Sequence, residues 1–176
     1  MVPRCGYFAD GDILVRKTVY IDWSLGFDRE AKHAYGNQLI ELLAEYGPVA
    51  EVTSGSPVYA TRQLSPLFVK MKGMDKSVED YLRDLQKLIP NLFANEHLLH
   101  FFYMQNLSDK NLKVMHNYNC YTDMFWNPDK GGFGNSQATS LALYRVLENI
   151  GRLDLLSDEA SFRDWYNTEL KLLIIY

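Results

Sequence analysis

The sequence predicts an α+β protein that is mainly α-helical, with one domain over residues 1–176 and a small β element near the N-terminus. Three observations support this prediction. The chain has 176 residues, a length that suits one domain. Apolar residues recur at helical spacing between capping residues through most of the chain. A run rich in β-branched and aromatic residues, ILVRKTVYIDW, lies near the N-terminus at residues 13–23.

The first half of the chain combines two strand-like runs with one helix. Residues 13–23 predict a strand. Asp28 is a candidate N-cap for a helix that continues to about Tyr46, where a Gly-Pro pair stops it. Residues 49–53 predict a short second strand, and residues 54–57 form a loop dense in turn formers.

The second half predicts five helices from caps and apolar spacing. Ser77 and Ser108 are candidate N-caps, and either Asn135 or Ser136 caps the most apolar helix of the chain, which is therefore predicted to be buried. The predicted helices span residues 77–89, 95–107, 108–116, 135 or 136 to 150, and 157 or 158 to about 172.

A glycine-rich loop, KGGFG at residues 130–134, precedes the buried helix. Unpaired backbone N–H groups and the positive end of the helix dipole make such a helix start suitable for an anion. We interpret the loop as a ligand cradle. The alternative is an ordinary solvated turn before a core helix.

The composition excludes several classes of protein. The formal net charge is −4 and no basic stripe is visible, so a general binder of nucleic-acid backbones is not expected. Cys5 and Cys120 form no CxxC pair or disulfide framework, which suits a reducing cytoplasm. The N-terminus lacks the apolar core of a signal peptide, and no apolar run is long enough to span a bilayer. We expect a cytoplasmic protein with no membrane contact.

Common catalytic motifs are absent from the sequence. His97 and His100 share a helix face, but an HxxH pair without further ligands more often borders a core than binds a metal, and we expect no metal and no cofactor. The sequence has no GxSxG nucleophile elbow, no P-loop lysine and no GxGxxG after a strand. Nucleophilic hydrolysis, NTP hydrolysis and dinucleotide binding of the Rossmann type are therefore disfavoured.

Two carboxylates remain as candidate catalytic residues, Glu79 and Asp123. Glu79 falls in the first turn of its predicted helix, where the dipole favours the ionised form and suits a base or a stabiliser of positive charge. Asp123 precedes an aromatic pair and Asn-Pro. The alternatives are that Glu79 only helps to start a helix and that Asp123 is an Asx-turn residue.

With these residues in place, the chain resembles the NADAR superfamily of YbiA-like N-glycosidases, and within it the antitoxins found beside DarT-type DNA ADP-ribosyltransferase toxins. The resemblance covers most of the chain, and the most specific stretch is residues 118–142, YNCYTDMFWNP…NSQATSLAL, which is similar to YDAFTDIEFNP…NCQARSAAL of that branch. The other matching blocks are Trp23, Gly26 and Phe27 with Lys32; residues 51–56 (EVTSGS); residues 64–65 (LS); residues 77–79 (SVE); and residues 103–107 (YMQNL).

The resemblance implies cleavage of an N-glycosidic bond to ribose and, in this branch, removal of ADP-ribose from guanine bases in DNA. Glu79 would stabilise the positive charge that develops at the anomeric carbon. Asp123 would hold ribose hydroxyls or position Glu79. The resemblance also implies a ligand-binding set: Ser54, Ser56, Trp126 as a stacking face, Asn127 for ribose hydroxyls, and Gly132, Gly134, Asn135 and Gln137 for the pyrophosphate.

The implied partners are ADP-ribosylated DNA, either single-stranded or with the modified base flipped out, or free ADP-ribose nucleotide, and a DarT-type toxin. The chain departs from the family pattern E..[FY]Q..K, because Leu82, Arg83 and Gln86 stand at the last three of those positions. It is also shorter between Ile89 and Phe101 than the members it resembles. Two alternatives follow: a trimmed domain that binds ADP-ribose, a related nucleotide or the toxin without turnover, and an N-glycosidase that acts on a small metabolite.

Overall fold

The sheet is the framework of the computed structural model, which describes residues 1–128 and 136–176. Its five strands lie in the order β3-β4-β1-β2-β5. Strand β1 pairs antiparallel with both β2 and β4, whereas the outer pairs β3-β4 and β2-β5 are parallel. The strands are β1 (Val2–Asp10), β2 (Ile13–Ile21), β3 (Val49–Glu51), β4 (Cys120–Thr122) and β5 (Lys171–Ile175).

Seven α-helices accompany the sheet in the described part of the chain. They are α1 (Arg29–Leu42), α2 (Tyr59–Arg62), α3 (Val78–Leu88), α4 (Glu96–Gln105), α5 (Asp109–Met115), α6 (Gln137–Asn149) and α7 (Glu159–Thr168). The α+β, mainly α class predicted from the sequence is confirmed. No helix within residues 1–128 and 136–176 is long and apolar enough to cross a membrane.

The helix starts agree closely with the sequence predictions. Asp28 accepts a hydrogen bond from the backbone of α1, and Ser77, Ser108 and Ser136 do the same for α3, α5 and α6. Asp158, one of the two candidates for the last helix, caps α7. These contacts join residues three apart in sequence, so the local sequence specifies them.

The β structure is larger than the predicted N-terminal element. The sequence analysis predicts neither β1 nor β4, and it extends the last helix to about residue 172 although that helix ends at Thr168. Residues 171–175 instead form β5, which runs parallel to β2 from Ile13 to Lys17. The predicted extension of the last helix was therefore wrong, because the apolar run LLII is compatible with an edge strand as well as with a helix.

Helix α6 forms the centre of the core, as its apolar sequence predicts. Nine of its residues are buried. The helix packs against β1, β4 and α4. A second, smaller cluster of buried residues holds α1 against the other side of the sheet through Ile21, Tyr35 and Leu39. Each buried large apolar side chain stabilises the fold by about 1.5–3 kcal/mol. This packing fixes the start of α6 relative to the ends of β3 and β4.

Candidate functional site

Glu79 stands in the first turn of α3, as predicted. The Ser77 hydroxyl accepts a hydrogen bond from the Asp80 N–H at 3.1 Å and so begins the helix. The Glu79 N–H donates to the Pro66 carbonyl at 3.1 Å, which fixes this turn to the preceding segment. The neighbouring Val78 is fully buried, while the Glu79 side chain is 39% exposed. The carboxylate is therefore held on an anchored turn but remains accessible.

A cavity of about 340 Å³, here called the Glu79 cavity, opens beside this carboxylate. Helices α3 and α4 and the start of α6 form its walls. Apolar side chains mix with polar groups, as is usual for ligand sites. Its lining residues are Pro66, Val78, Glu79, Leu82, Arg83, Gln86, Phe93, Leu99, His100, Tyr103, Ser136, Gln137 and Ser140.

The three positions that depart from the family pattern, Leu82, Arg83 and Gln86, all line the Glu79 cavity. Arg83 donates to the Glu79 carboxylate at 2.9 Å. Both side chains are more than a third exposed, and an exposed ion pair one helical turn apart stabilises by only about 0.3–0.5 kcal/mol. A ligand with its own charge can therefore separate Arg83 from Glu79.

Asp123 lies immediately after β4 and is buried. One carboxylate oxygen accepts the N–H groups of Phe125 at 2.8 Å and Trp126 at 3.2 Å, so the Asx-turn alternative describes its backbone role. Burial raises the pKa of Asp123 to about 6, against the lowering effects of these N–H groups and of Arg4.

A second buried carboxyl group, Glu51, lies next to Asp123 and was not predicted as a site residue. It ends β3, which runs parallel to β4, so both acids follow the carboxyl ends of neighbouring strands. Glu51 accepts hydrogen bonds from the Met124 N–H at 3.1 Å and the Thr53 hydroxyl at 3.0 Å. Burial, and then the charge of Asp123, raise the pKa of Glu51 to about 8. Both carboxyl groups are therefore protonated more readily than ordinary ones, and Glu51 more so than Asp123.

Gln137 connects this carboxyl pair with the Glu79 cavity. Its side-chain amide donates to the Val52 carbonyl at 3.4 Å and lies close enough to Asp123 to lower the pKa of that carboxyl group slightly. The same side chain lines the Glu79 cavity, whereas Asp123 is not among its described lining residues. The structure thus brings Glu79 and Gln137 onto one cavity, and Asp123 lies near Gln137 without lining that cavity.

The two predicted serines have different surroundings. Ser54 is exposed and lines a separate opening of about 320 Å³, here called the basic cleft. Ser56 is fully buried, and its hydroxyl pairs with that of Thr61 at 2.9 Å and accepts the Val58 N–H at 3.1 Å. These contacts give Ser56 a role within the loop. The basic cleft is lined by Arg29, Lys32, His33, Ser54, Gly55, Arg62 and Phe125.

Trp126 and Asn127 line a third opening of about 340 Å³, here called the aromatic cleft. Trp126 is half-buried there rather than fully open. Arg4, which the sequence analysis did not select, stacks 4.4 Å from the Trp23 ring centre and donates through Nε to the Met124 carbonyl. The aromatic cleft is lined by Arg4, Trp23, Phe27, Phe125, Trp126 and Asn127.

The predicted ligand residues Gly132, Gly134 and Asn135, with the rest of the glycine-rich loop, lie outside the described residues. The chain enters this segment after Asn127 and Pro128 and leaves it at Ser136. Asn127 lines the aromatic cleft, and Ser136 lines the Glu79 cavity.

The two histidines that share a helix face in α4 have protein partners. His97 pairs with Glu159 at 3.0 Å, and His100 Nδ1 hydrogen-bonds the Ser140 hydroxyl at 2.7 Å. In the part of the chain that the structure describes, no three His, Cys, Asp or Glu side chains are grouped so that they could hold a metal ion.

Comparisons with protein-family models and with curated proteins found no relative of this chain.

Proposed function

We propose that this protein is a NADAR-like N-glycosidase that removes ADP-ribose from modified guanine bases in DNA and acts as the antitoxin to a DarT-type toxin. The observation that carries the proposal is that Glu79 and Gln137, 58 positions apart in the chain, line one open cavity, and that Gln137 lies near the buried Asp123. These three residues come from the blocks that resemble the family.

The chemistry requires a carboxylate beside the anomeric carbon of the ribose. As the bond between that carbon and the base nitrogen breaks, its electron pair leaves with the base and positive charge develops on the ribose. Glu79 is the carboxylate that lines the cavity and would stabilise this charge. A water molecule then bonds to the anomeric carbon and gives up a proton to Glu79, and that proton passes to the base nitrogen that left with the electron pair.

Asp123 has a positioning role in this proposal. It is buried and would act on the cavity through the neighbouring Gln137, which lines it. Because a modified base inside a duplex is out of reach of a cavity of about 340 Å³, the substrate would be single-stranded DNA or a flipped nucleotide.

The direct test is release of ADP-ribose from an oligodeoxynucleotide that carries ADP-ribosylated guanine, followed by mass spectrometry. We expect the wild-type protein to release ADP-ribose and Glu79→Gln to be at least a hundredfold slower, since the amide cannot balance the developing charge. Glu169→Gln is the matched control, because this exposed acid lies outside the Glu79 cavity. Equal rates for wild type and Glu79→Gln would contradict the proposal.

A second candidate function is binding without turnover. It is favoured by Arg83, which stands where the family pattern has Gln and is 2.9 Å from the Glu79 carboxylate, and by Gln86, which stands where the pattern has Lys. Tight binding of ADP-ribose in calorimetry, with no release from the modified oligonucleotide, would select this candidate.

A further inference from the structure

The basic cleft gathers positive charge in a protein whose net charge is −4. The cations Arg29 and Lys32 come from α1, and Arg62 comes from the end of α2, while the neighbouring His33 of α1 is neutral. The turn that follows β3 forms the adjoining wall. No acidic side chain is among the described residues that line this cleft.

The cations of the basic cleft differ from most others on the surface. Across residues 1–128 and 136–176, neither Arg29, Lys32 nor Arg62 has a carboxylate within ion-pair distance. By contrast, Lys76 and Lys87 both pair with Asp84. The positive charge of the cleft is therefore available to a ligand.

Arg62 is held in a fixed orientation at this site. Its Nε donates to the Ser56 carbonyl at 2.6 Å, and one terminal nitrogen donates to His33 Nε2 at 3.1 Å. A guanidinium has only donors, so His33 Nε2 accepts and the ring proton is on Nδ1. The remaining guanidinium N–H groups of Arg62 can form the paired hydrogen bonds that suit a phosphate.

Aromatic rings adjoin the cations, because Phe125 lines both the basic cleft and the aromatic cleft. Phe125 is 45% exposed, and Phe27 on the same cleft is 65% exposed. Trp23 lies between them but has its faces covered by Tyr35, whose ring centre is 4.1 Å away, and by Arg4. The two phenylalanine rings are thus the surfaces on which a flat base can stack.

We propose that the basic cleft binds a phosphate group of a nucleotide whose base lies against Phe27 and Phe125. This site does not depend on cleavage at Glu79, since none of the cations in the basic cleft lines the Glu79 cavity. The phosphate has two possible sources with the same chemistry: a nucleoside diphosphate, or the backbone of a single DNA strand.

The experiment measures the affinity of the protein for ADP and for a short oligothymidylate by calorimetry. The test variant is Arg29→Gln/Lys32→Gln, which removes two cations that have no ion pair in the described structure. The control variant is Lys110→Gln/Lys113→Gln, which removes two exposed charges from α5, outside the cleft. Thermal unfolding of each variant verifies that the fold is retained.

We expect the test variant to bind at least one of the two ligands ten or more times more weakly than wild type, and the control variant to bind both as wild type does. Loss of ADP affinity identifies a nucleoside diphosphate as the source of the phosphate. Loss confined to the oligothymidylate identifies the DNA backbone. Unchanged affinity for both ligands, or no binding of either by the wild-type protein, would overturn the proposal whatever the activity of Glu79.

Discussion

At the scale of single residues, the buried acids Glu51 and Asp123 show how the fold controls charge beside the candidate site. Both are excluded from water, and Arg4 supplies a positive charge near Asp123. Burial thus raises the pKa of both acids, and that of Glu51 more than that of Asp123. The sequence indicated Asp123 from its neighbours, but it gave no signal for Glu51, because its burial depends on the pairing of β3 with a strand about 70 residues away.

Replacement of Glu51 by Gln should change how stability depends on pH. The pKa of Glu51 is raised to about 8, so its contribution to stability is complete below the ordinary value of 4.5 and is lost as the pH rises toward 8. Between pH 5 and pH 8, we expect wild type to lose on the order of 2–4 kcal/mol relative to Glu51→Gln. Urea unfolding at several pH values measures this difference.

Asp123 is present in both proteins. Because its pKa is also raised, to about 6, its contribution to stability is likewise lost as the pH rises toward 6. Glu169→Gln is a suitable control, since that side chain is exposed. Parallel stability curves for wild type and Glu51→Gln between pH 5 and pH 8 would show that Glu51 is ionised at its ordinary pKa in the folded protein.

At the scale of elements, helix starts were predictable and strand pairing was not. Asp28, Ser77 and Ser136 cap their helices through contacts with residues three positions along the chain. Strands β1 and β5 depend on partners that the local sequence does not identify, and β5 is made of residues whose apolar run also suits a helix. The same limit applies to the site. The position of Glu79 in a first helical turn is predictable from the Ser77 cap, whereas the basic cleft forms only where α1, α2 and the turn after β3 meet.

Arg83 and Gln86 on the exposed face of α3 lie beside Glu79 in its cavity, and their replacement tests what they do there. Arg83→Gln/Gln86→Lys gives the cavity two of the three missing residues of the family pattern and removes the cation held against Glu79. We expect this variant to release ADP-ribose from modified DNA ten or more times faster than wild type under single-turnover conditions. Lys87→Gln is the matched control, because it removes an ion pair from the same helix outside the cavity. An unchanged rate in the double variant would mean that Arg83 and Gln86 do not limit turnover.

At the scale of the whole molecule, α6 connects the parts of the proposed site. Its buried body packs on β1, β4 and α4, and its first residues, Ser136 and Gln137, line the Glu79 cavity. Gln137 also lies near Asp123, which follows β4. Segments remote in sequence therefore meet around the start of one rigid helix, and a ligand bound at Glu79 would contact that helix start.

The most direct test of whether the Glu79 cavity binds ADP-ribose is a titration of isotope-labelled protein with that ligand, followed by NMR of the backbone amides. We predict that the largest shift changes occur at Glu79, Arg83 and Gln137, because these residues line one cavity although they are distant in the chain. If those three amides are unchanged while the largest changes fall elsewhere, for example on the edge strand β5, the Glu79 cavity is not the ligand site.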